Sequence, residues 1–456
     1  MNKGLKPKYG LLTAIAMVVG IVIGSGVFFK AEKVLSATGG NLPLGILAWA
    51  IGGAIMITLA STFSILATKY SGVNGLSDYA KATVGRPYAY VISWFTFTIY
   101  FPAMTAVLAW VSARYTGVIF GWVPNSAEVM TLSFAFLIGS YVLNALSPIL
   151  AGKFQVAVTV IKLVPIALMA IVGTVVGLFN GLTVENFTNT VHEVEGGTGF
   201  ALFSALVAAA FAYEGWIIAT SINAEIKNSK RNLPLALIIG TFIVAAAYVM
   251  YYIGLSGGAS NAELMESGEK GARLAFERIF GSIGGIGLFV LVIISCLGTL
   301  NGLMLAVTRG MYSIASEGNG PAPKIMSEVD KHTNMPPNSA ILGLMISMAW
   351  LVFFYATNLS PTPWFGAFAF DCSELPIITV YVMYLPIFVM MMVKERDLNP
   401  AKRFVLPALS IICCIFMVVA SVFSHGKAVI PYLITFAVIM LLCIPFYRKA
   451  KTDHSK

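Results

Sequence analysis

The chain has 456 residues, of which 58% are hydrophobic and 11% charged, against roughly 45–50% apolar and about 25% charged in ordinary soluble proteins. That balance excludes a soluble enzyme, and at roughly 20 residues per crossing about twelve membrane spans with short connections use up the length. A net charge of +9 then points to Lys and Arg collected on one side of a membrane and not to nucleic acid.

The first ten residues are short and basic. The apolar run behind them is too long for a removed signal and lacks an Ala-x-Ala site, so it reads as a first span at 10–30. Further spans are predicted at 41–68, 87–113, 129–149, 154–179, 200–222, 234–256, 279–308, 338–358, 364–393, 404–424 and 428–447. With the N-terminus inside, the inside segments gather most of the basic residues, among them Lys227, Lys230, Arg231, Lys394, Arg396, Lys402, Arg403, Arg448, Lys449 and Lys451. The outside loop 180–199 carries Glu185, Glu193 and Glu195 and no Lys or Arg. Both termini are therefore expected in the cytoplasm of a cell that holds the protein in its inner or plasma membrane.

A helix that unwinds at membrane depth must line protein or a cavity, because its backbone groups need partners. In the first span Gly24-Ser25-Gly26 is the candidate break, and close helix packing is the competing reading of those glycines. In the fifth span Lys162 lies about ten residues, or roughly 15 Å, along the axis, where it either reaches a carbonyl or water as a packed lysine or serves function. The sixth span places Glu214 and Gly215 side by side in Phe211-Ala212-Tyr213-Glu214-Gly215-Trp216. An ionisable group costs at least about 2.5–3.5 kcal/mol at a helix centre, so Glu214 should face away from lipid. A break there frees N–H groups at one half-helix end and C=O groups at the other, which suits an amino acid zwitterion. Five crossings apart, spans one and six run in opposite directions, as an inverted repeat of five plus five helices produces. No sequence identity between the halves supports that repeat. In the tenth span Asp371 and Glu374 are satisfied by Ser373, Thr362 or each other, or stand at the cavity's outer rim.

Cys296, Cys372, Cys413, Cys414 and Cys443 all sit in apolar stretches, which argues against a disulfide framework or zinc site. The histidines His192, His332, His425 and His454 lie at or near loops or the tail, so no buried histidine relay, metal or cofactor is expected. No nucleophile, base and oxyanion donor meet in any motif, so the chain is not read as an enzyme.

Four segments in order, Gly24-Ser25-Gly26, the Phe211 to Trp216 stretch, the inside loop 224–234 and the run 308–315, together with the span pattern, resemble the amino acid–polyamine–organocation superfamily and its L-type amino acid transporters. The resemblance implies an all-α polytopic membrane protein with the LeuT-like fold. That means twelve transmembrane helices, with the first repeat at 10–179, the second at 200–393, two extra helices at 404–447 and a cytoplasmic tail at 448–456, and helices 1 and 6 unwound. It implies that N–H groups around Gly24, Ser25 and Gly26 hold the substrate carboxylate and that carbonyls near Val22, Ile23, Phe211, Ala212 and Glu214 meet the ammonium. Phe211 would gate the site, Trp216 would line the side-chain pocket, and Lys162 would take the place of the sodium ion of coupled relatives. Several eukaryotic relatives have a small residue or aspartate where Glu214 stands; this acid either pairs internally or binds a cationic substrate. Ile217 replaces a polar residue of some relatives, and segment 114–128 lacks the cysteine that links them to a heavy chain, so no covalent partner is expected. The reading is sodium-independent transport of L-amino acids across the bilayer by obligatory exchange of small to medium neutral substrates. The alternatives are a proton-coupled symporter and a cationic amino acid or polyamine carrier using Glu214. A channel or a substrate sensor on the same scaffold is the rival from another class.

Overall fold

The computed structural model describes residues 10–24, 26–70, 75–123, 125–217, 226–333, 335–362 and 364–448. Ser25, part of the loop 224–234, and Lys449 and Lys451 lie outside the described residues. Among the described residues all regular elements are helical, and nine stretches are long and apolar enough to cross a membrane.

The first span is a bent pair, α1 (Leu11–Val22) and α2 (Gly26–Ala37), which turn by 41° and pass the length and hydropathy test only together. It runs on to Ala37 instead of ending at 30, because Lys30 is buried and does not mark a boundary. Next come α3 (Leu42–Lys69), capped by the Asn41 carboxamide on the Leu44 amide at 2.9 Å, α4 (Arg86–Phe120), α5 (Ala127–Leu146) and α6 (Lys153–Phe179). In α4 a π turn at Thr96–Tyr100 precedes Pro102. Pro102 has no N–H for the Thr98 carbonyl four residues back, and the Trp350 indole fills that gap at 2.8 Å.

α7 (Gly197–Tyr213) has 17 residues and stops at the predicted break, where Glu214 is extended (φ −74°, ψ 164°) and Gly215 has φ +99°. It is followed by α8 (Ser229–Leu255), α9 (Gly271–Ser316), interrupted at Gly281 (φ +76°, ψ 165°), α10 (Pro337–Leu359) and α11 (Leu375–Lys394). The last apolar stretch holds α12 (Leu406–His425) and α13 (Val429–Leu441), separated at Gly426 with φ +52°. Contacts fix their directions. Ser410 meets Thr62 in the second half of α3 and His425 meets Glu374, whereas Tyr432 starts beside Thr379 and Cys443, just past α13, accepts from Tyr90.

Small residues let the helices touch, as is common inside membranes: a Cβ on Gly254 or Gly257 of the α8 end would fall 2.0 Å from a carbonyl oxygen of α6. Ile412, Phe423, Leu433 and Val438 on α12 and α13 are about half exposed or more, an apolar face that lipid covers. Segments predicted inside do meet at one end, where Lys69 pairs with Glu395 and with Asp397 at 2.5 Å, and Lys81 pairs with Glu317 at 2.6 Å. At the opposite end Ser260 caps a short helix, and Glu263 accepts the Arg278 fork at 2.7 and 2.8 Å. Arg278, then the Ser260 amide and hydroxyl, hold the Glu263 carboxyl down at about 2.

Candidate functional site

The two breaks lie against each other. Ile23 leaves the helical region (ψ 104°) just past α1, and α2 restarts at Gly26, where a Cβ would fall 2.5 Å from the Ala212 Cα on α7. Gly215 approaches α1 as well: a Cβ there would lie 3.4 Å from the Ile21 carbonyl oxygen. Close packing and a break, posed as competing readings of the first-span glycines, hold together. A Cβ on Gly24 would strike Thr299 at 2.6 Å and one on Gly20 would strike Thr159 at 2.2 Å.

Tyr248 of α8 joins the breaks. Its hydroxyl lies 3.0 Å from the Val22 carbonyl and 3.1 Å from the Ala212 carbonyl, and with a single proton it donates to one at a time. Both carbonyls are among those expected to meet an ammonium. Sequence reasoning missed Tyr248, because nothing in its apolar run sets it apart from Tyr251 and Tyr252.

The buried charges find definite partners. Lys162, 1% exposed, donates to the Gly20 carbonyl in the last turns of α1, so it is anchored beside the break. It reaches a carbonyl as the packed-lysine reading required. Glu214 accepts from the Tyr100 hydroxyl at 2.8 Å, at the π turn of α4, with Tyr381 and Tyr384 of α11 within electrostatic reach. Trp216 is buried between Phe63 and Tyr384, with ring centroids 5.6 and 6.2 Å away.

A second buried lysine was not foreseen. Lys30, 0% exposed on α2, donates to Glu374 at 2.6 Å and stands 5.3 Å from the centre of the Phe211 ring. This corrects the partners expected for Glu374, whose second oxygen faces the His425 Nε2 at 3.3 Å. Asp371 accepts from the Ser373 amide at 2.6 Å, one of its expected partners. His425 closes a helix at a turn, as expected, yet its side chain is only 10% exposed and its Nε2 faces Glu374. Behind Lys162, Asn144 donates to the Asn301 carboxamide at 2.9 Å and Asn301 donates to Gln155 at 3.3 Å, pinning α5, α6 and α9 together.

The site therefore offers a break in α1 and α2 against a break after α7, one buried lysine anchored beside it, one acid held by a tyrosine hydroxyl, and an aromatic ring beside a second buried lysine. Residues 9–444 match the family model described as amino acid permease. The chain is 29% identical to the serine/threonine exchanger SteT of Bacillus subtilis, over 88% of this chain and 86% of that one. It is 27% identical to the mouse b(0,+)-type amino acid transporter 1, over 92% and 84%. A crystal structure of MhsT in complex with L-phenylalanine superposes with a TM-score of 0.58 at 17% identity, covering 92% of this chain and all of that one.

Proposed function

Because the chain belongs to the amino acid permease family, we propose that it carries L-amino acids across a cell membrane by alternating access, without sodium, as an obligatory exchanger of small to medium neutral substrates. The observation that carries this reading is the meeting of two interrupted helices, where α2 restarts at Gly26 directly against Ala212 at the end of α7. Amides take a carboxylate and carbonyls an ammonium. In this reading Gly24, Ser25 and Gly26 hold the carboxylate, and Val22, Ile23, Phe211, Ala212 and Glu214 supply the carbonyls. The ammonium then displaces the Tyr248 hydroxyl from Val22 and Ala212. Phe211 is the lid and Trp216 the pocket wall.

Sodium independence is supported by Lys162, whose side-chain nitrogen donates to the Gly20 carbonyl beside the break and, when protonated, places a tethered positive charge there. Exchange follows if the empty site reorients slowly because its broken ends lack the zwitterion that satisfies them. The serine/threonine exchanger among its relatives supports both the mode and small neutral substrates. The full arrangement is twelve spans in two inverted five-helix repeats plus two helices, with both termini cytoplasmic and no covalent heavy chain, since segment 114–128 has no cysteine. The Tyr100 hydrogen bond to Glu214 favours an internal role for that acid over binding a cationic side chain.

The test is uptake of labelled serine, leucine and arginine into proteoliposomes preloaded with each amino acid in turn, with and without sodium and a pH gradient. Stimulation by internal neutral amino acid, indifferent to both gradients, supports the exchanger. Uptake into empty vesicles driven by protons, or arginine uptake lost in Glu214→Gln, would replace it with the symporter or the cationic carrier.

A further inference from the structure

The carrier reading leaves unused a buried ionic cluster that ties α2, α11 and α12 together over the site. The groups that face one another are Lys30 and Lys33 from α2, Asp371, Ser373 and Glu374 from the turn entering α11, His425 from the end of α12, and the Phe211 ring of α7. Lys30 binds Glu374 on one side, and His425 faces its other oxygen.

The orientation of the imidazole is set by its other nitrogen. Nδ1 lies 3.2 Å from the Ser421 carbonyl oxygen, and a carbonyl only accepts, so Nδ1 carries the hydrogen. In the neutral ring Nε2 then presents a lone pair to the Glu374 carboxylate; one proton converts that contact into a charge-assisted hydrogen bond. We propose that Lys30, Glu374 and His425 form a proton-controlled latch over the substrate site, in which protonation of His425 favours release of α2, with its Lys30, from α11. This rests on the carrier reading for its purpose, which is to lift α2 and uncover Phe211.

The direction follows from charge. When Lys30 leaves, Glu374 becomes a buried charge without a partner, which is costly, unless His425 is protonated and takes it over. While Lys30 and Lys33 sit near Glu374, they repel a second cation at His425, so His425 binds its proton more tightly in the released state. By linkage, protons favour release.

The test is hydrogen–deuterium exchange of the full chain in lipid, following amides of Gly26–Ala37 at pH 6 and pH 8 after correction for the intrinsic effect of pH. The wild type opens faster at pH 6 by at least about fivefold, the low end of ordinary coupling between sites. His425→Gln loses that difference, and His425→Arg opens fast at both pH values. A wild-type ratio unchanged in His425→Gln, slower opening at pH 6, or slow opening of His425→Arg at both values overturns the latch. Serine counterflow measured on the same preparations reports the carrier reading separately. A His425-dependent ratio without counterflow keeps the latch and refutes carriage, and counterflow with a His425-independent ratio does the reverse.

Discussion

Two buried lysines flank the break in the first span, and they are held by opposite means. Lys162 comes from α6 to a single backbone carbonyl of α1, at Gly20. Lys30 belongs to α2 itself and is surrounded by a carboxylate, the Ser373 hydroxyl at 3.4 Å and an aromatic face. A carbonyl partner neutralises nothing, so in the carrier reading it is a protonated Lys162 that stands beside the site in place of a bound sodium ion. A carboxylate partner cancels the charge of Lys30 and makes the contact breakable once another cation can take over. One lysine reads as a fixed part of the site and the other as a movable fastening.

The largest effect that separates them is expected on the Lys30 side. Lys30→Met leaves Glu374 without its principal partner and should lower stability in detergent by about 3–5 kcal/mol, whereas the double variant Lys30→Met/Glu374→Met should recover much of the loss. Failure of the double variant to recover would mean that the pair is not coupled. Lys162→Ala strips the partner from the Gly20 carbonyl, a loss of about 1–3 kcal/mol. No neutral donor should restore exchange: Lys162→Gln, which can still donate to that carbonyl, should be as impaired in exchange as Lys162→Ala, in contrast to the Lys30 pair. Tyr248→Phe removes the hydroxyl that spans both breaks. We expect a stability loss of about 0.5–1.5 kcal/mol by thermal unfolding, and a loss concentrated in the empty protein, shrinking when amino acid is present.

The smallest effect is a control outside the membrane. Arg278 lowers the Glu263 carboxyl to about 2 in the folded chain. A lowered carboxylate contributes stability that is complete above its unfolded value near 4.3 and is lost as pH falls toward 2. Because the pair is exposed, Arg278→Ala should change stability by under about 1 kcal/mol at neutral pH, and thermal scans at pH 3 should narrow that difference further.

The same contrast explains how much was legible in the sequence. Lys162 stands out because it interrupts an apolar run in the middle, where a charge demands a partner. In the sequence Lys30 and Arg114 look like the ends of apolar runs, yet both are buried and their helices continue to Ala37 and Phe120. A charge at the edge of a run marks a boundary only if water reaches it, and that depends on which helices pack over it. The break at Glu214 was legible because an acid at mid-depth has few other uses, and it gave weight to the break at Gly24, whose glycines close packing alone could explain. Tyr248 and His425 were not, since one sits among like residues in an apolar helix and the other follows a stretch that looks like any helix end. Their roles come from the carbonyl and carboxylate that other helices bring to them.

In the carrier reading the two broken helices need an amino acid between them before the site can turn, a requirement that shows in how fast the loaded protein empties a vesicle. It is tested by efflux of labelled serine from sodium-free proteoliposomes. Efflux should stay slow in plain buffer and rise several-fold when unlabelled serine is added outside. Equal efflux with and without outside serine, or efflux that requires sodium, would contradict it.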